Sequence, residues 1–401
     1  DRSPSRGLGD VYKRQGVYYD GNLYFDYELP AGISKTWSYA SFLKDREVGY
    51  GHLQCGGKSL DDVCPPDVKD DWEKVNNKLK AFLRSFYLSK VSLDDNCFYD
   101  MVPEKFLLEF CEVKNKITKH VFENFLPPKN LRFLTLLTKV VEDVNQKKLN
   151  IDIDEFKPFL AEHKARQWKE KINNISPYIK YDIFGTRTGR LTTKKHSFPV
   201  LTFPKKYRSI IKPNNDLFVE LDYNGAELRT LLALSDRKQP SMDIHEWNRR
   251  HISGKKILSR QEVKNSIFAW LYNSKKHPNE DSLIKMYNKD KVLKEYWDGD
   301  TVRTCFNREI SADQHHALNY IIQSTCADLI LQKMIKIYDM LEGKKSNIAF
   351  CVHDSIVIDL HADDKHLMSD IINEFSNTRF GRFKASVKTG KDFGNLRELI
   401  S

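Results

Sequence analysis

Hydrophobic residues recur at helical spacing between positions 127 and 175. Phe133, Leu137 and Val144 lie on one side of the roughly 3.6-residue helical period, and this spacing predicts two helices in the stretch. Residues 147–150, with two lysines, fall at the turn between the two helices. The basic tip of such a hairpin could approach a polyanion, but the pattern alone favours an ordinary solvated helix tip.

A second pattern begins near Gly185. Residues 218–221 form a short run of strand-forming residues that leads into Asp222. Beyond it, the spacing of apolar residues predicts helices over 226–234, over 259–272 with Ser259 as N-cap and over 312–340, and then a β-hairpin over 348–360. No internal repeat and no low-complexity tract interrupts these elements.

Composition narrows the class of protein. The chain has 401 residues, which suggests two to four packed units rather than one simple domain. Lys and Arg number 65 against 55 Asp and Glu, and a net charge of +10 suits a polyanion such as nucleic acid without requiring one. The seven cysteines include no CxxC pair, which indicates reduced thiols in a cytosol and neither a zinc site nor a disulfide framework. No apolar run approaches the length of a membrane span, so we expect no membrane partner.

Two aspartates stand out because each follows or lies between strand-forming residues. Asp222 ends the predicted strand, and Asp354 lies 132 residues later within Val352-His353-Asp354-Ser355. A buried carboxylate is costly unless a cation or hydrogen bonds compensate it. Two such carboxylates on adjacent strand ends can hold two magnesium ions for in-line phosphoryl transfer. Either acid alone is more often a turn or cap residue.

The predicted helix after Ser259 carries a stripe of four side chains. Arg260, Lys264, Phe268 and Tyr272 are spaced by four, so each lies about 400° beyond the last and all four share one face. Two cations followed by two aromatic rings fit a nucleotide, with the cations on the triphosphate and the rings on base and sugar. The alternative is an amphipathic helix with a mixed face.

A second polar stripe runs along the long predicted helix. His315, Asn319 and Gln323 are spaced by four among apolar neighbours and need polar partners. Minor-groove base edges and sugars are suitable partners, and an internal hydrogen-bond network fits this helix equally well.

Six short segments, in this order across residues 185–401, resemble motifs of DNA polymerase family A, the DNA polymerase I family. The matching segments are Thr188-Gly189-Arg190-Leu191, Asp222 to Arg229, Asp243-Ile244-His245, Arg260 to Tyr272, Asn319 to Gln323 and Val352-His353-Asp354. Three further segments look closer to phage polymerases than to the bacterial repair enzyme; these are 268–273, 306–308 and 387–390.

The resemblance implies a set of site residues. Asp222, Asp354 and the backbone carbonyl of Tyr223 would hold two Mg²⁺ ions, with Mn²⁺ able to substitute, and Lys264 would assist catalysis as a proton donor to pyrophosphate. The incoming dNTP would contact Arg260, Lys264, Phe268, Tyr272, His245 and Glu227, the last as a steric gate against a ribose 2′-hydroxyl. Primer-template DNA would contact Arg190, His315, Asn319, Gln323 and His353.

Three positions depart from the family pattern. Ser355 stands where an acid usually follows the His-Asp pair, which puts metal affinity or rate in doubt. His315 stands where Arg is frequent, and Asn273 where Gly usually follows the Tyr of the nucleotide helix.

Proofreading exonuclease motifs are present only in fragments. Asp26 and Glu28 fit a DxE element and Asn96 with Asp100 an NxxxD element, but the YxxxD pair at Tyr178 abuts the TGRL element. Residues 16–125 are also too few for a whole exonuclease domain. We therefore expect a truncated or degenerate relic with little or no primer-trimming activity.

The expected fold class is α+β, a right-hand polymerase with an antiparallel palm sheet, helical fingers and a helical thumb. The predicted limits are 1–15 for a non-native, adapter-like segment, 16–125 for the N-terminal remnant, 126–184 for the thumb, 185–242 and 312–401 for the palm, and 243–311 for the fingers. The expected setting is DNA replication by a monomeric phage enzyme in the cytoplasm of an infected bacterial host. The rival hypotheses are a single-subunit RNA polymerase, a reverse transcriptase and a catalytically dead DNA-binding protein.

Overall fold

The computed structural model describes residues 16–25, 29–43, 46–93, 96–252, 259–273 and 280–399. Contacts between Cα atoms divide the chain into two compact units, and the boundary falls after Glu142. The seven cysteines, all within the described residues, form no disulfide with one another. None of the described helices is both long and apolar enough to cross a membrane.

The first unit is mainly helical. Its strands are β1 (Gly16–Tyr19), β2 (Asn22–Phe25), β3 (Lys35–Thr36) and β4 (Gly49–Tyr50). Its helices are α1 (Gly51–Gln54), α2 (Leu60–Val63), α3 (Lys69–Leu88), α4 (Phe98–Met101), α5 (Glu104–Asn124) and α6 (Leu131–Asn145), and the unit boundary falls within α6. The long helices α3 and α5 pack against each other, with Trp72, Val75, Ile117 and Val121 buried in one cluster because they recur at helical spacing.

The second unit is built on a five-stranded antiparallel sheet. Its strands are β5 (Asn150–Ile151), β6 (Tyr181–Asp182), β7 (Thr192–Thr193), β8 (Ile211–Lys212), β9 (Leu217–Tyr223), β10 (Thr301–Arg303), β11 (Glu309–Ser311), β12 (Asn347–Val352), β13 (Ser355–Leu360), β14 (Asn377–Thr378), β15 (Gly381–Arg382), β16 (Ala385–Gly390) and β17 (Arg397–Glu398). The sheet order is β12-β13-β9-β16-β17, so β9 lies at its centre. Phe218 and Leu221 of β9 and Ile356 of β13 are buried.

The second unit also contains helices. They are α7 (His163–Asn173), α8 (Ala226–Leu234), α9 (Ile244–Ile252), α10 (Arg260–Asn273), α11 (Glu280–Tyr287), α12 (Lys289–Tyr296), α13 (Gln314–Leu341) and α14 (Met368–Ser376). Helix α13 is apolar on most sides and is buried along most of its length, which is typical of a central helix. It packs against α8 and α14. One buried cluster joins α8, α10, α11 and α13 and includes Leu231, Trp270, Tyr287 and Ile321.

The capping chemistry fixes where two of these helices begin. The Ser259 hydroxyl accepts the Glu262 N–H at 3.2 Å, and the Glu262 carboxylate accepts the Ser259 N–H at 2.8 Å, a reciprocal capping box. The Asp313 side chain accepts the His316 N–H at 2.9 Å, so α13 begins at Gln314 rather than at 312 as the apolar pattern predicts.

The observed mixed α and β architecture confirms the predicted fold class, and the predicted strand, helices and hairpin beyond Gly185 are all present within a few residues. The two helices predicted over 127–175 are present as α6 and α7, but the short turn predicted between them is wrong. Strand β5 and a 3₁₀ helix, Ile153–Phe159, separate α6 from α7. Asn150 is paired with Lys212 of β8, and Lys147 forms an ion pair with Asp143, so the stretch is not a free basic tip. The predicted domain limits remain predictions.

Candidate active site

The sheet brings the two predicted catalytic acids together. Asp222 is the second-last residue of β9, and its direct partner on β13 is Ser355. Val352 and Ser355 pair across a two-residue turn, so Asp354 lies in the turn next to that partner. His353, the other turn residue, has a φ of 52°, a left-handed conformation that tight hairpin turns require. Two residues 132 positions apart therefore meet at one end of the sheet.

A cleft of about 610 Å³ lies over these acids. Besides Asp222 and Asp354, it is lined by residues of α8, α9 and α10, among them Glu227, His245, Arg260, Lys264 and Phe268. A second cleft of about 390 Å³ shares both acids and is lined by basic groups, including Lys205, Arg208, His353 and Lys388. The acids therefore lie between a pocket with a cationic helix and a neighbouring basic groove.

Burial and neighbouring charge raise the pKa values of both acids. Burial, followed by the Glu220 and Asp354 carboxylates, raises the pKa of Asp222 to about 6. Burial also raises the pKa of Asp354, against the opposing field of Arg190. Within the described residues, neither carboxylate accepts a hydrogen bond or forms a salt bridge. Partly buried carboxylates without such partners are costly, and a divalent cation would supply the missing charge.

The donor set fits hard cations such as Mg²⁺, which prefer carboxylate and carbonyl oxygens. The Tyr223 side chain cannot serve, because its ring stacks on Phe375 at 4.1 Å and its hydroxyl donates to the Phe375 carbonyl at 2.6 Å. Only its backbone is available to the cleft. In the described part of the chain, no three side chains of His, Cys, Asp or Glu could hold one ion, so the two aspartates would be the main protein ligands.

Helix α10 presents its stripe to the cleft. Arg260, Lys264 and Phe268 all line it, and Lys264 makes no salt bridge with any described residue. Phe268 also packs against the buried cluster of α8, α11 and α13. The side chain of Tyr272 lies outside the described residues, although its backbone is the second-last residue of α10. Three members of the predicted stripe therefore share one cleft with the acids.

His245 contributes to the cleft as a neutral group. It is 4% exposed, and its Nδ1 has no hydrogen-bond partner in the described structure. Burial, helped by the positive charge of Arg260, lowers its pKa to about 4. The imidazole is therefore uncharged near pH 7, and it can offer a hydrogen bond to a phosphate but no positive charge.

Glu227 and Arg190, predicted to contact sugar and DNA respectively, are paired. The Arg190 Nη2 donates to Glu227 Oε1 at 2.5 Å. Arg190 follows Gly189, which has a φ of 77° and lies against the guanidinium of Arg308. This pairing holds the predicted steric gate on the wall of the cleft.

Two members of the polar stripe of α13 lie away from the cleft over the acids. His315 and Asn319 line a separate cleft of about 460 Å³, next to Lys289 and Leu293. The Asn319 Oδ1 is buried without a hydrogen-bond partner in the described structure, and Gln323 is half-buried one turn further on. Their predicted contacts with DNA remain predictions.

No role was predicted from the sequence for two acidic residues of the site, Asp243 and Glu220, although Asp243 belongs to the Asp243-Ile244-His245 segment. Asp243 holds Arg260 through two hydrogen bonds, of 3.1 Å from Nε and 2.7 Å from Nη2. Burial acts against its ionisation, but hydrogen bonds from Arg260, the Glu246 N–H and Asn224 keep the pKa of Asp243 below its usual range. Glu220 forms a salt bridge with Lys388 at 3.2 Å beside Asp222. Glu220 could have been found only from its spacing, because residues two apart on a strand, such as Glu220 and Asp222, lie on the same face of β9.

Comparisons with known proteins agree with this geometry. Residues 301–395 match the family model of DNA polymerase family A. DNA polymerase I of Caldicellulosiruptor bescii is 25% identical over 241 residues, covering 47% of this chain and 28% of that protein. DNA polymerase I of Borreliella burgdorferi is 29% identical over 93 residues, covering 22% of this chain and 10% of that protein. The chain thus spans less than a third of the length of either relative.

A solved structure of the POL domain of Pol1 from M. smegmatis, in complex with DNA primer-template and dNTP, has a similar fold. The TM-score is 0.61 at 11% identity, and the match covers 87% of this chain and 82% of that one. A likeness at this identity shows the fold alone. The chain is thus similar to DNA polymerase family A, through the family model over residues 301–395 and through the two DNA polymerase I relatives.

Proposed function

We propose that this chain is a DNA-directed DNA polymerase that adds dNTPs to the 3′-hydroxyl of a primer on a DNA template. The observation that carries the proposal is the cleft of about 610 Å³ in which Asp222 and Asp354, without hydrogen bonds or salt bridges to described residues, share walls with Arg260 and Lys264. A phosphoryl-transfer site needs carboxylates for metal and cations for the triphosphate within one pocket.

Asp222, Asp354 and the Tyr223 carbonyl would hold two magnesium ions. When bound, such ions lower the pKa of the attacking hydroxyl and neutralise charge on the phosphates. The chain's own groups do the rest. Arg260 and Lys264 bind triphosphate oxygens, and neutral His245 donates a hydrogen bond to them. Lys264 would give a proton to the leaving pyrophosphate.

Glu227 sets the choice of sugar. Its carboxylate is held by Arg190 on the cleft wall, where it crowds the 2′ position of a bound nucleotide. A fixed side chain excludes an added hydroxyl better than a mobile one, because moving it would break the ion pair. This arrangement favours DNA synthesis over the RNA polymerase alternative.

The proposed setting is replication of phage DNA by a monomeric enzyme in the cytoplasm of an infected bacterium. It rests on the similarity of segments 268–273, 306–308 and 387–390 to phage polymerases. The position of the Tyr178–Asp182 motif directly before Thr188-Gly189-Arg190-Leu191 supports the accompanying proposal that primer ends are trimmed slowly or not at all; Asp26 and Glu28 lie outside the described residues.

Primer extension tests the proposed function. A labelled primer annealed to a DNA or an RNA template is incubated with dNTPs or rNTPs, with Mg²⁺, with Mn²⁺ or with EDTA. We expect metal-dependent extension with dNTPs on the DNA template. Extension by rNTPs alone would indicate an RNA polymerase, preference for the RNA template a reverse transcriptase, and binding without extension a DNA-binding protein.

A further inference from the structure

The loop before α9 carries an aspartate that holds the nucleotide helix. The Asp243 carboxylate accepts the Glu246 N–H at 2.8 Å, which caps α9, and the Asn224 side-chain amide at 2.6 Å. The same carboxylate accepts Nε and Nη2 of Arg260 at 3.1 and 2.7 Å. One acid therefore joins the loop after β9, the start of α9 and the first residue of α10.

A buried arginine fixes this aspartate in place. Arg229 is fully buried and donates to the backbone carbonyls of Asn224, Pro240 and Met242, each at 2.8 Å. Asn224 in turn accepts the Ile244 N–H at 2.7 Å. Because Asn224 follows Tyr223 directly, the position of Asp243 is tied to the strand that carries Asp222. Such a satisfied buried network is rigid.

The contact with Arg260 has the geometry that a phosphate would take. Both carboxylate oxygens meet the forked guanidinium, and the side chains of Arg260 and Asp243 are 50% and 27% exposed. Arg binds phosphate through the same fork. Both residues line the cleft with Lys264, so a triphosphate that reaches Arg260 must compete with a carboxylate already there.

We propose that Asp243 is an internal stand-in for the triphosphate and thereby a positioning residue for Arg260. It holds Arg260 over the cleft until a sufficiently charged nucleotide displaces it. A triphosphate can replace the carboxylate because Lys264 and His245 bind it at the same time, whereas a monophosphate cannot offset the lost ion pair. The inference deepens the proposed function, on which its choice of ligand rests.

The test is a double-mutant cycle on nucleotide binding, measured by calorimetry with dATP and dAMP in EDTA so that no chemistry occurs. Asp243→Asn keeps a side-chain oxygen for the α9 cap and removes the competing charge. We expect dATP to bind about threefold more tightly, typical of a partly exposed ion pair, and dAMP, which does not displace Asp243 in the unmodified chain, to gain no more than this factor. In an Arg260→Ala background the Asp243→Asn change should have no effect.

Asp298→Asn is the matched control. Asp298 also pairs with an arginine, Arg303, and accepts two backbone N–H groups, but it lines none of the clefts described above. It should leave dATP binding unchanged. Arg260→Lys keeps the positive charge but loses the forked guanidinium, so it gives a second measurement of the coupling between positions 243 and 260. Thermal unfolding confirms that each variant is folded.

Unchanged or weaker dATP binding in Asp243→Asn, or an effect that persists without Arg260, would overturn the inference, as would the absence of dATP binding to the unmodified chain. Primer extension decides the proposed function separately. A chain that extends primers but shows no coupling loses only the inference, and a chain that shows coupling without extension loses only the proposed function.

Discussion

Replacing Asp222 by Asn should stabilise the metal-free protein. The carboxylate is partly buried near Glu220 and Asp354, accepts no hydrogen bond from a described residue, and has its pKa raised from 3.8 to about 6. A raised carboxyl pKa means that folding disfavours the charged form. Asn has the same shape and no charge, so the variant avoids that cost.

The magnitude and its pH dependence follow from these values. One pKa unit corresponds to about 1.36 kcal/mol, so the shift of Asp222 corresponds to about 3 kcal/mol at most. Because the side chain keeps some contact with solvent, we expect about 1–3 kcal/mol. Below pH 3.8 the carboxyl is protonated in both folded and unfolded states and costs nothing. The cost of Asp222 grows as the pH rises from about 4 to about 6 and is complete above that.

Urea unfolding followed by tryptophan fluorescence in EDTA measures this difference. At pH 7.5 the free energy of unfolding should be higher for Asp222→Asn than for the unmodified chain, and near pH 4 the two should converge. Adding Mg²⁺ should stabilise the unmodified chain more than the variant. Asp298→Asn is the contrasting control, because Arg303 lowers the pKa of Asp298 to about 2 and loss of its charge should not stabilise. A variant less stable at pH 7.5, or a gain that persists at pH 4, would refute the reasoning.

Three further substitutions test other parts of the account. Lys264→Ala should slow single-turnover dNTP incorporation about 100-fold, or about 3 kcal/mol, while primer-template affinity measured by anisotropy changes less than about threefold. Lost DNA affinity with normal incorporation would mean that the Arg260, Lys264 and Phe268 side chains of α10 face the DNA duplex. Glu227→Ala should raise the ratio of rNTP to dNTP use at least about tenfold, and an unchanged ratio would exclude it as the gate. Gly189→Ala should lower the free energy of unfolding, measured in urea, by about 1–3 kcal/mol, because the added Cβ would lie 2.3 Å from the Arg308 guanidinium. Gly343→Ala is the control: its φ is similar, no atom lies within 4 Å of the added Cβ, and the loss of stability should be smaller.

The elements nearest the acids were predictable because local chemistry determines them. Strand β9 and helix α8 follow from short runs of apolar residues, and the N-cap at Ser259 follows from a residue type that favours helix starts. The stretch between α6 and α7 was not predictable, since β5 forms only because β8, about 60 residues later, supplies its partner. Helical spacing on either side carries no information about that pairing.

The site shows the same division. The spacing of four that places Arg260, Lys264 and Phe268 on one face is local, and the structure puts all three in the cleft. The pairing of Arg260 with Asp243 and of Arg190 with Glu227 depends on tertiary contacts between different elements. The sequence motifs identify Arg260, Asp243, Arg190 and Glu227 but do not show which of these charged groups form ion pairs. The ion pairs decide which side chains remain available to a ligand.

The central claim is that Asp222 and Asp354 form a metal-dependent centre for nucleotide addition. The most direct measurement is single-nucleotide incorporation by rapid quench, at saturating primer-template, dNTP and Mg²⁺, for Asp222→Ala, Asp354→Ala and the unmodified chain. The account predicts that either substitution slows incorporation at least about a thousandfold, while primer-template affinity stays within about threefold. Incorporation near the unmodified rate in either variant would contradict it.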